Sequence, residues 1–574
     1  MVKGNMEYRR KALKARFPFW ERLTLSQRFD KLAEEFAENE FLATEEQHYT
    51  YREAKHHIDE LAKGLIQLGI KPREHVAVAL GNYPEFVFLT FALAKIGAVK
   101  ISVNYRLCTQ ELNYVLKHSD AVCLLTMPRN PKQGGRQMVQ KLCPELLEDK
   151  SSPVFPCLRK IVVLGEEEFQ GTRSVLSFTK MRKKASLVAE QELEERQAQT
   201  GYPDEVVDIF YTSGTTGKPK GAMLSHDMLW RSAYGSCINR AFETGRRIFI
   251  PIPFFHVYGY VEGILAASLV GGTVIPQLKF DAEKALRLME KEKANDILCV
   301  PAIAINLLNC PSLREFDLSA LRAVYCSAAP TPLWVWERIR KDLGVKEINT
   351  GYGMTEVCGA SAQNDPLDSP EILAAKVGKI LPGGSSGLPE YGFCHTQYKT
   401  VHSETGQDLP PGQEGELVCR GNIVTKGYYN EPLVTAEAIN KDGWLKTGDL
   451  GRIDENGYIE LTGRCKDMYK VGGENVSPQR IERTIEEHEK VAQAAVVGIP
   501  DAKMGEIGVA FIQINKNQKC TEEEICCYCE LKLSKFELPK YYIFMEEKDW
   551  PLTPTKKIQK TKLKDKAVQE LNRK

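Results

Sequence analysis

One segment of the sequence combines hydroxyls, glycines and lysines at a spacing that suits a polyphosphate. It reads Thr212-Ser213-Gly214-Thr215-Thr216-Gly217-Lys218 and continues with Pro219-Lys220-Gly221. Glycines let backbone N–H groups approach phosphate oxygens closely, while the hydroxyls add hydrogen-bond donors and the lysines add positive charge. The apolar run at residues 206–210 precedes the segment. The sequence therefore predicts a strand that leads into a phosphate-binding loop.

The spacing of this loop is not that of a Walker A motif. A Walker A motif has four residues between its glycines and a Ser or Thr after its lysine. Here two residues separate Gly214 from Gly217, and Pro219 follows Lys218. Proline has no hydroxyl to offer a metal ion, so the P-loop class of nucleotide-binding protein is excluded.

The loop resembles the signature loop of the adenylate-forming superfamily, which includes acyl-CoA synthetases, coumarate–CoA ligases, firefly luciferases and peptide-synthetase adenylation domains. Seven further segments resemble motifs of that family and occur in the family's order. They are residues 251–257, 327–330, 351–356, 443–449, 463–467, 470–478 and 551–560. The resemblance runs from about residue 24 to residue 560 and is strongest to fatty acyl-CoA synthetases.

The resemblance implies a ligase that joins an acid to a thiol in two steps at the expense of ATP. In the first step a carboxylate attacks the α-phosphate of ATP and gives acyl-AMP and pyrophosphate. In the second step the thiol of coenzyme A attacks the acyl carbon and AMP leaves. ATP, Mg²⁺ and coenzyme A are thus the expected cofactor and co-substrates, and each step needs charge placed where it develops.

The resemblance also implies roles for three side chains. Lys557 matches the family's catalytic lysine, Glu356 its magnesium-binding carboxylate, and His256 the aromatic gate between the acyl pocket and the route of the thiol. Each residue also has a plainer interpretation, since a tail lysine, a surface glutamate and a core histidine are all common.

Other residues are expected to hold the nucleotide or the pantetheine arm of coenzyme A. Asp449 and Arg464 match the pair that binds ribose, and Lys466 matches the hinge about which the C-terminal domain turns between the steps. The whole predicted binding set is Thr212, Ser213, Gly214, Thr215, Thr216, Gly217, Lys218, Ala328, Ala329, Gly351, Tyr352, Gly353, Thr355, Asp449, Arg464, Lys466, Lys470, Gly472 and Gly473. Tyr352 could instead be a buried core tyrosine, and Asp449 a turn former.

Two features depart from the family pattern. Lys556 stands where the family usually has glycine beside the catalytic lysine, and it adds a second cation. If that position needs a positive φ, lysine costs roughly 1 kcal/mol there. The segment 383–403 is longer than the family pattern and its apolar alternation is poor, so no function is assigned to it.

These side chains need a framework, and the sequence predicts an α/β one. Strand-like apolar runs, such as residues 76–80, 99–103 and 323–326, alternate with helical patterns, such as residues 25–37 and 85–96. This alternation is typical of parallel sheets flanked by helices. We interpret residues 166–204 as a solvated helix and loop, and the Lys-rich end from Lys556 onward as a solvated tail.

The domain organisation follows from the change of texture near Gly463 and from the resemblance. Residues 1–463 are expected to form a large N-terminal domain of parallel-rich sheets with a small β-barrel-like part, which binds ATP and the acyl substrate. Residues 464–574 are expected to form a small mobile α+β domain with the hinge and Lys557.

Composition excludes several classes of protein. Lys plus Arg is 77 and Asp plus Glu is 76, so a net charge of +1 gives no global attraction to nucleic acid. The apolar stretch at residues 263–278 has 16 residues and contains Gly271-Gly272 and Pro276, so it predicts a buried helix and strand rather than a membrane span. The basic N-terminus is followed by no apolar core of a secretory signal, and peripheral membrane contact through it stays open.

The cysteines indicate the compartment. Sixteen cysteines in a chain with no secretion signal indicate reduced thiols and a cytoplasmic location. The one tight cluster, Cys526-Cys527-Tyr528-Cys529, has no second pair at zinc spacing, and we interpret it as small residues on a helix.

The sequence leaves the identity of the acid open. An apolar pocket would fit a medium- or long-chain fatty acid, with an aryl or cyclic carboxylate as the alternative. A homologue that binds acyl-adenylate but has lost turnover is a further alternative, which Lys556 favours. Neither the oligomeric state nor a protein partner is indicated.

Overall fold

The computed structural model of the chain describes residues 5–128, 134–165, 169–212, 219–472, 474–501, 503–516, 518–552 and 558–571. The chain divides into two compact units, the first formed by residues 1–397 and 420–445, the second by residues 398–419 and 446–574. Both units combine sheets and helices, which confirms the predicted α/β class with a large parallel-rich part and a smaller C-terminal part. The boundary at residue 463 stays a prediction.

One sheet of the first unit carries the phosphate loop. Its seven strands lie parallel except for the last pair, which is antiparallel. In sheet order they are Val175–Ser177, Lys160–Val163, Cys123–Thr126, His75–Ala79, Val99–Ser102, Val206–Thr212 and Lys220–Ser225. The predicted loop connects the last two strands, because its first residue, Thr212, ends one strand and Lys220 begins the other.

A second seven-stranded sheet leads into residues 327–330, which resemble the family's loop beside adenine and which we name the adenine-side segment. In order it contains Glu347–Asn349, Ala323–Cys326, Asp296–Cys299, Arg247–Ile250, Thr273–Pro276, Glu40–Ala43 and His48–Thr50. Its strands are parallel except for the last pair. A three-stranded antiparallel sheet follows, formed by Gly351–Met354, Gly359–Gln363 and Lys379–Ile380.

Helices cover the sheets of the first unit. They are Met6–Arg16, Leu25–Glu35, Tyr51–Gln67, Pro84–Lys95, Thr109–His118, Gly134–Leu142, Phe178–Lys183, Glu190–Gln199, His226–Asn239, Val257–Gly259, Ala266–Leu269, Ala282–Lys291, Pro301–Leu308, Leu333–Asp342, Pro370–Ala375 and Pro432–Ala438, with a π-helix at Tyr260–Leu265. The helix Pro84–Lys95 is apolar on every side and buried on every side, as a helix in the centre of a core must be.

The second unit contains two sheets. The first has the strands Thr396–Val401, Gly415–Gly421, Leu445–Ile453 and Ile459–Arg464. The second has Glu474–Val476, Tyr469–Val471, Gly505–Ile514 and Val491–Asp501 in that order, and Tyr541–Phe544 pairs with Gly505–Ile514. The helices Pro478–Glu486, Glu522–Glu530 and Lys560–Leu571 pack here.

Several predicted elements are confirmed and two are wrong. The stretch 263–278 is a buried helix followed by a buried strand, and among the described helices none has the length and apolar composition to cross a membrane. Residues 166–204 are not only helix and loop, because Val175–Ser177 is a buried edge strand. The Lys-rich end is not a solvated tail over residues 560–571, because it forms a helix that buries Leu563 and Ala567. The segment 383–403 contains the strand Thr396–Val401, which poor alternation concealed.

The three arginines of the basic N-terminal helix, Met6–Arg16, form internal ion pairs. Arg9 is buried and pairs with Glu347 and with Glu243. Arg10 pairs with Asp365 at 2.9 Å, and Arg16 pairs with Glu35 at 2.8 Å. The arginines of this helix therefore fasten it to the first unit.

Candidate active site

Glu356 lies on a 3-10 turn, Thr355–Val357, directly after the strand Gly351–Met354. Its side chain is buried, and its Oε1 accepts a hydrogen bond from the Tyr428 hydroxyl at 2.8 Å. Its backbone carbonyl accepts from the Thr425 amide at 2.7 Å. Burial and the neighbouring carboxylate raise the pKa of Tyr428 above its ordinary range, so the phenol stays protonated and donates. Glu356 is thus a buried carboxylate in a fixed position.

Tyr428 reaches Glu356 because its segment runs along the strand Lys220–Ser225. The Met223 amide donates to Gly427 O at 3.0 Å, and the Tyr429 amide donates to Gly221 O at 2.8 Å. The ammonium of Lys220 lies 5.3 Å from the centre of the Tyr428 ring, within cation–π range. The end of the phosphate loop, Tyr428 and Glu356 therefore form one cluster. Tyr428 was not predicted from the sequence as a site residue, although the run Gly427-Tyr428-Tyr429 marks its segment as a candidate.

The phosphate loop is described at its two ends. Thr212 closes its strand and its hydroxyl contacts Lys220 O at 3.5 Å. Ser213, Gly214, Thr215, Thr216, Gly217 and Lys218 lie outside the described residues. The antiparallel pairing of Thr212 with Lys220 brings the two ends of the loop together.

Gly351 and Gly353 are glycines because no side chain fits. A Cβ on Gly351 would lie 2.6 Å from the Tyr325 hydroxyl, and one on Gly353 would lie 1.8 Å from Gly359 O. The tight pairing of the strands Gly351–Met354 and Gly359–Gln363 thus needs both glycines, and it positions Tyr352, which is buried.

The adenine-side segment is joined to this hairpin. The Ser327 hydroxyl donates to Gly351 O at 2.7 Å. Ala328 has a φ of +76°, which is unfavourable for an L residue, and it is exposed together with Ala329. These two alanines follow the strand Ala323–Cys326 at its carboxyl end, where ligands bind in open α/β sheets.

His256 is half-buried and precedes a short helix, Val257–Gly259. Its amide donates to Pro253 O at 3.3 Å and its carbonyl accepts from the Tyr260 amide at 3.0 Å. The ring lies 6.1 Å from that of Phe255. The backbone on both sides of His256 is therefore fixed, and its role as a gate stays a prediction.

In the second unit, Asp449 and Arg464 are brought together. They are directly opposite in the paired strands Leu445–Ile453 and Ile459–Arg464, and Arg464 Nε lies 3.0 Å from Asp449 Oδ1. The Asp449 amide donates to the Thr447 hydroxyl at 3.1 Å, which holds the turn. Glu416, whose pKa burial raises, accepts from the Gly448 amide at 3.3 Å. Ribose binding by this pair stays a prediction.

The remaining predicted residues of the second unit lie near turns or, in the case of Lys470, on the inner strand Tyr469–Val471. Burial lowers the pKa of Lys466, which follows Arg464 by two residues. The Lys470 amide donates to Glu506 at 2.9 Å, and Gly472 has a φ of +60° and donates to Met504 O at 2.8 Å. Gly473 lies outside the described residues.

Lys557 and Lys556 also lie outside the described residues, but the ends of their loop are joined. Leu552 and Ile558 form an antiparallel bridge, and the Gln559 amide donates to Pro551 O at 2.8 Å. Lys560 then pairs with Glu482 at 2.7 Å. The predicted catalytic-lysine loop thus starts and ends at one fixed point of the second unit.

The interpretation of the cluster at residues 526–529 as small residues on a helix holds for Cys529, its most buried cysteine. Cys529 is buried on the helix Glu522–Glu530, and Cys527 on the same helix is exposed. A different group, His488, Cys520 and Glu524, has ligand atoms within 4.8 Å of one another. The Lys490 ammonium lies 2.6 Å from the Glu524 carboxylate, which neutralises the charge that a metal ion would need, so no metal is assigned there.

Comparisons with known proteins show relatives over most of the chain. The AMP-binding enzyme family model matches residues 29–429, and the model of the AMP-binding enzyme C-terminal domain matches residues 480–557. YngI of Bacillus subtilis is 37% identical over 91% of this chain and 93% of its own length. The mitochondrial medium-chain acyl-CoA ligase ACSF2 of Danio rerio is 34% identical over 91% of this chain and 84% of its own. The solved Mycobacterium tuberculosis fatty acyl CoA synthetase superposes with a TM-score of 0.69 at 27% identity, covering 95% of this chain and 98% of that one.

The resemblance that the motifs indicated is therefore confirmed over most of the chain. The large match covers the phosphate loop, the segment 251–257 with His256, and Glu356. The small match covers most of the helix Pro478–Glu486 and reaches Lys557. The chain belongs to the AMP-binding enzyme family, the adenylate-forming enzymes.

Proposed function

We propose that the chain is an ATP-dependent acid–thiol ligase that makes acyl-AMP and then acyl-CoA. The observation that carries the proposal is the cluster of Lys220, Tyr428 and Glu356 at the end of the phosphate loop. A cation and a fixed carboxylate beside a phosphate-binding loop suit a metal-bound polyphosphate. The family to which the chain belongs uses ATP, and its relatives are named as acyl-CoA ligases or synthetases.

The residues of the first unit would place the two reacting anions. The hydroxyls and lysines of the phosphate loop would hold the phosphates of ATP, while the exposed backbone at Ala328 and Ala329 would lie beside adenine. Glu356 fits Mg²⁺, since a carboxylate oxygen is the hard ligand that this ion prefers, and a bound Mg²⁺ would neutralise phosphate charge. The Tyr428 hydroxyl would keep that carboxylate in place.

The second unit would supply the remaining contacts. We propose that Asp449 accepts the ribose hydroxyls and that Arg464 donates to the same sugar. Lys557 would place its positive charge between the carboxylate of the acid and the α-phosphate, so that the carboxylate oxygen can attack phosphorus and pyrophosphate can leave. Coenzyme A then needs no protein nucleophile, because the acyl-adenylate is already the activated species.

We propose a medium- to long-chain fatty acid as the acyl donor. The support is the naming of ACSF2 as a medium-chain acyl-CoA ligase and of the Mycobacterium tuberculosis neighbour as a fatty acyl CoA synthetase. An aryl or cyclic carboxylate is the second candidate, and Lys556 in place of the usual glycine is the feature that favours impaired turnover.

The test is pyrophosphate release from ATP with a panel of acids, with and without coenzyme A. We expect release with octanoate to palmitate and thioester only when coenzyme A is present. Preference for benzoate-type acids would move the substrate class to the second candidate. Nucleotide binding without pyrophosphate release for any acid would indicate an impaired homologue.

A further inference from the structure

A buried π-helix, Tyr260–Leu265, follows the His256 segment. It contacts the strand that leads into the phosphate loop and the hairpin that carries Glu356. All six of its residues are buried. π-Helical turns are rare and occur often at functional sites. Two of its side chains, those of Tyr260 and Glu262, are polar. Tyr260 forms a hydrogen bond to the strand Val206–Thr212, and Glu262 forms hydrogen bonds to the strand Gly359–Gln363.

Tyr260 joins the π-helix to the strand that leads into the phosphate loop. Its hydroxyl donates to Asp208 Oδ2 at 3.0 Å, and Asp208 lies on the strand Val206–Thr212. Asp208 is fully buried and faces Lys100, which lies directly opposite on the strand Val99–Ser102 with its Nζ 3.3 Å from Oδ1. The Lys100 ammonium also donates to the Thr90 hydroxyl at 2.7 Å.

Glu262 joins the same helix to the hairpin whose connecting turn carries Glu356. Its Oε1 accepts from the Ala360 amide at 3.2 Å, and its Oε2 accepts from Gln363 Nε2 at 3.2 Å and from the Ser236 hydroxyl. Ala360 and Gln363 lie on the strand Gly359–Gln363, which pairs with Gly351–Met354. Burial raises the pKa values of Asp208, to about 6, and of Glu262.

Polar groups buried in this way adopt one arrangement, because a displaced partner leaves a buried donor or acceptor unsatisfied. A shift of the π-helix would break the bonds to Asp208 and to Ala360 together. The π-helix therefore links the strand Val206–Thr212 and the strand Gly359–Gln363 to one element.

We infer that Tyr260 and Glu262 are positioning residues, which set the strand Val206–Thr212, the strand that leads into the phosphate loop, and the Glu356 hairpin in register with each other through the π-helix. The inference rests on the proposed function, since it assigns ATP to the phosphate loop and Mg²⁺ to Glu356. It predicts that each bond controls a different part of Mg·ATP binding.

The experiment measures the dissociation constant of ATP by calorimetry, once with Mg²⁺ and once with EDTA, for Tyr260→Phe, Glu262→Gln and the wild type. We expect Tyr260→Phe to weaken binding about tenfold under both conditions. We expect Glu262→Gln to leave metal-free binding within about twofold and to reduce at least fivefold the gain in affinity that Mg²⁺ provides.

Tyr51→Phe is the matched control. Tyr51 is equally buried, and its hydroxyl donates to Gly272 O at 2.9 Å and lies 3.4 Å from Ser268 O and 3.5 Å from Ala267 O, so its partners are backbone carbonyls outside the motif strands. It should lower the melting temperature about as much as Tyr260→Phe while ATP affinity is unchanged. Equal ATP affinities for Tyr260→Phe and Tyr51→Phe, or an unchanged Mg²⁺ gain in Glu262→Gln, would overturn the inference.

The outcome is separable from that of the proposed function. A wild type that binds Mg·ATP but releases no pyrophosphate with any acid refutes the ligase proposal, and the affinities still decide the positioning roles. A wild type with no measurable ATP binding overturns both.

Discussion

The hydrogen bond from Tyr428 to Glu356 offers a direct test of the candidate active site. Tyr428→Phe removes one hydroxyl and keeps the ring that lies near Lys220. The backbone pairing of its segment with the strand Lys220–Ser225 does not depend on the side chain. The change therefore removes the fixation of the Glu356 carboxylate with little other disturbance.

The size of the effect follows from the type of bond. A hydrogen bond to a charged group contributes about 1.5–3 kcal/mol. If Glu356 needs that bond to bind Mg·ATP in the transition state, each 1.36 kcal/mol lost lowers the rate about tenfold. We therefore expect kcat/KM for ATP to fall roughly 10- to 150-fold in pyrophosphate release, and saturating Mg²⁺ to recover part of the loss.

Tyr429→Phe provides the control at the next residue. The Tyr429 hydroxyl donates to a surface carboxylate, Asp120 Oδ2, at 3.0 Å, so the chemical change is the same but the partner is outside the site. We expect it to keep kcat/KM within about twofold. Similar losses in the two variants, or none in Tyr428→Phe, would refute the assignment of Glu356 to Mg·ATP.

Four further predictions concern the half-reactions and stability. Lys557→Ala should abolish adenylate formation yet keep most thioester formation from preformed acyl-AMP, and rapid-quench assays of each step decide this. Lys466→Pro should show the reverse pattern, because proline restricts the φ on which a hinge rotation depends; loss of adenylation alone would count against a hinge. Asp208→Asn should remove a pH dependence: the folded pKa of about 6 exceeds the ordinary 3.8, so wild-type stability from this group is present below pH 3.8 and is lost as pH rises through 6, and urea unfolding should show the difference between variant and wild type changing by about 2 kcal/mol from pH 4 to pH 7. Leu563→Ala should cost about 2–4 kcal/mol in urea unfolding because its side chain is fully buried, whereas Val568→Ala on the same helix, 36% exposed, should cost under about 1 kcal/mol; equal costs would contradict the packing of residues 560–571.

Local patterns predicted the framework well where the strand was a buried apolar run. The run at residues 323–326 is the strand Ala323–Cys326, and the run at 99–103 is the strand Val99–Ser102. Such strands lie between helices and must be apolar on both faces, so their composition alone identifies them. The strand Val175–Ser177 was missed because a three-residue edge strand within a charged segment has no such run.

The helices at the two termini were harder to predict, because the residues that they contact are distant in sequence. Lys and Arg dominate the helices Met6–Arg16 and Lys560–Leu571, and composition favours a solvated tail. Arg9 is buried because Glu347 lies 338 residues away in sequence but adjacent in space. Leu563 and Ala567 are four residues apart, a helical spacing that could have indicated one buried face.

The residues of the candidate site also differ in whether the sequence could identify them. Glu356, Asp449 and the phosphate loop could be predicted as site residues because each lies in a local run that resembles a motif of the family, and their roles stay predictions. Tyr260, which joins the π-helix to the strand Val206–Thr212, could not be recognised, since a single tyrosine in an apolar context is common in any core.

Lone charges in buried strands were nevertheless a signal. Asp208 interrupts the apolar run at 206–210 and Lys100 interrupts the run at 99–103, and both runs were predicted to be strands. An unpaired charge in such a place is too costly to persist, so the two must either find each other or bind a ligand. Pairing them would have placed the two strands side by side, as the register of Lys100 with Asp208 does. A buried acid and a buried base on separate predicted strands therefore carry information about sheet order that apolar periodicity lacks.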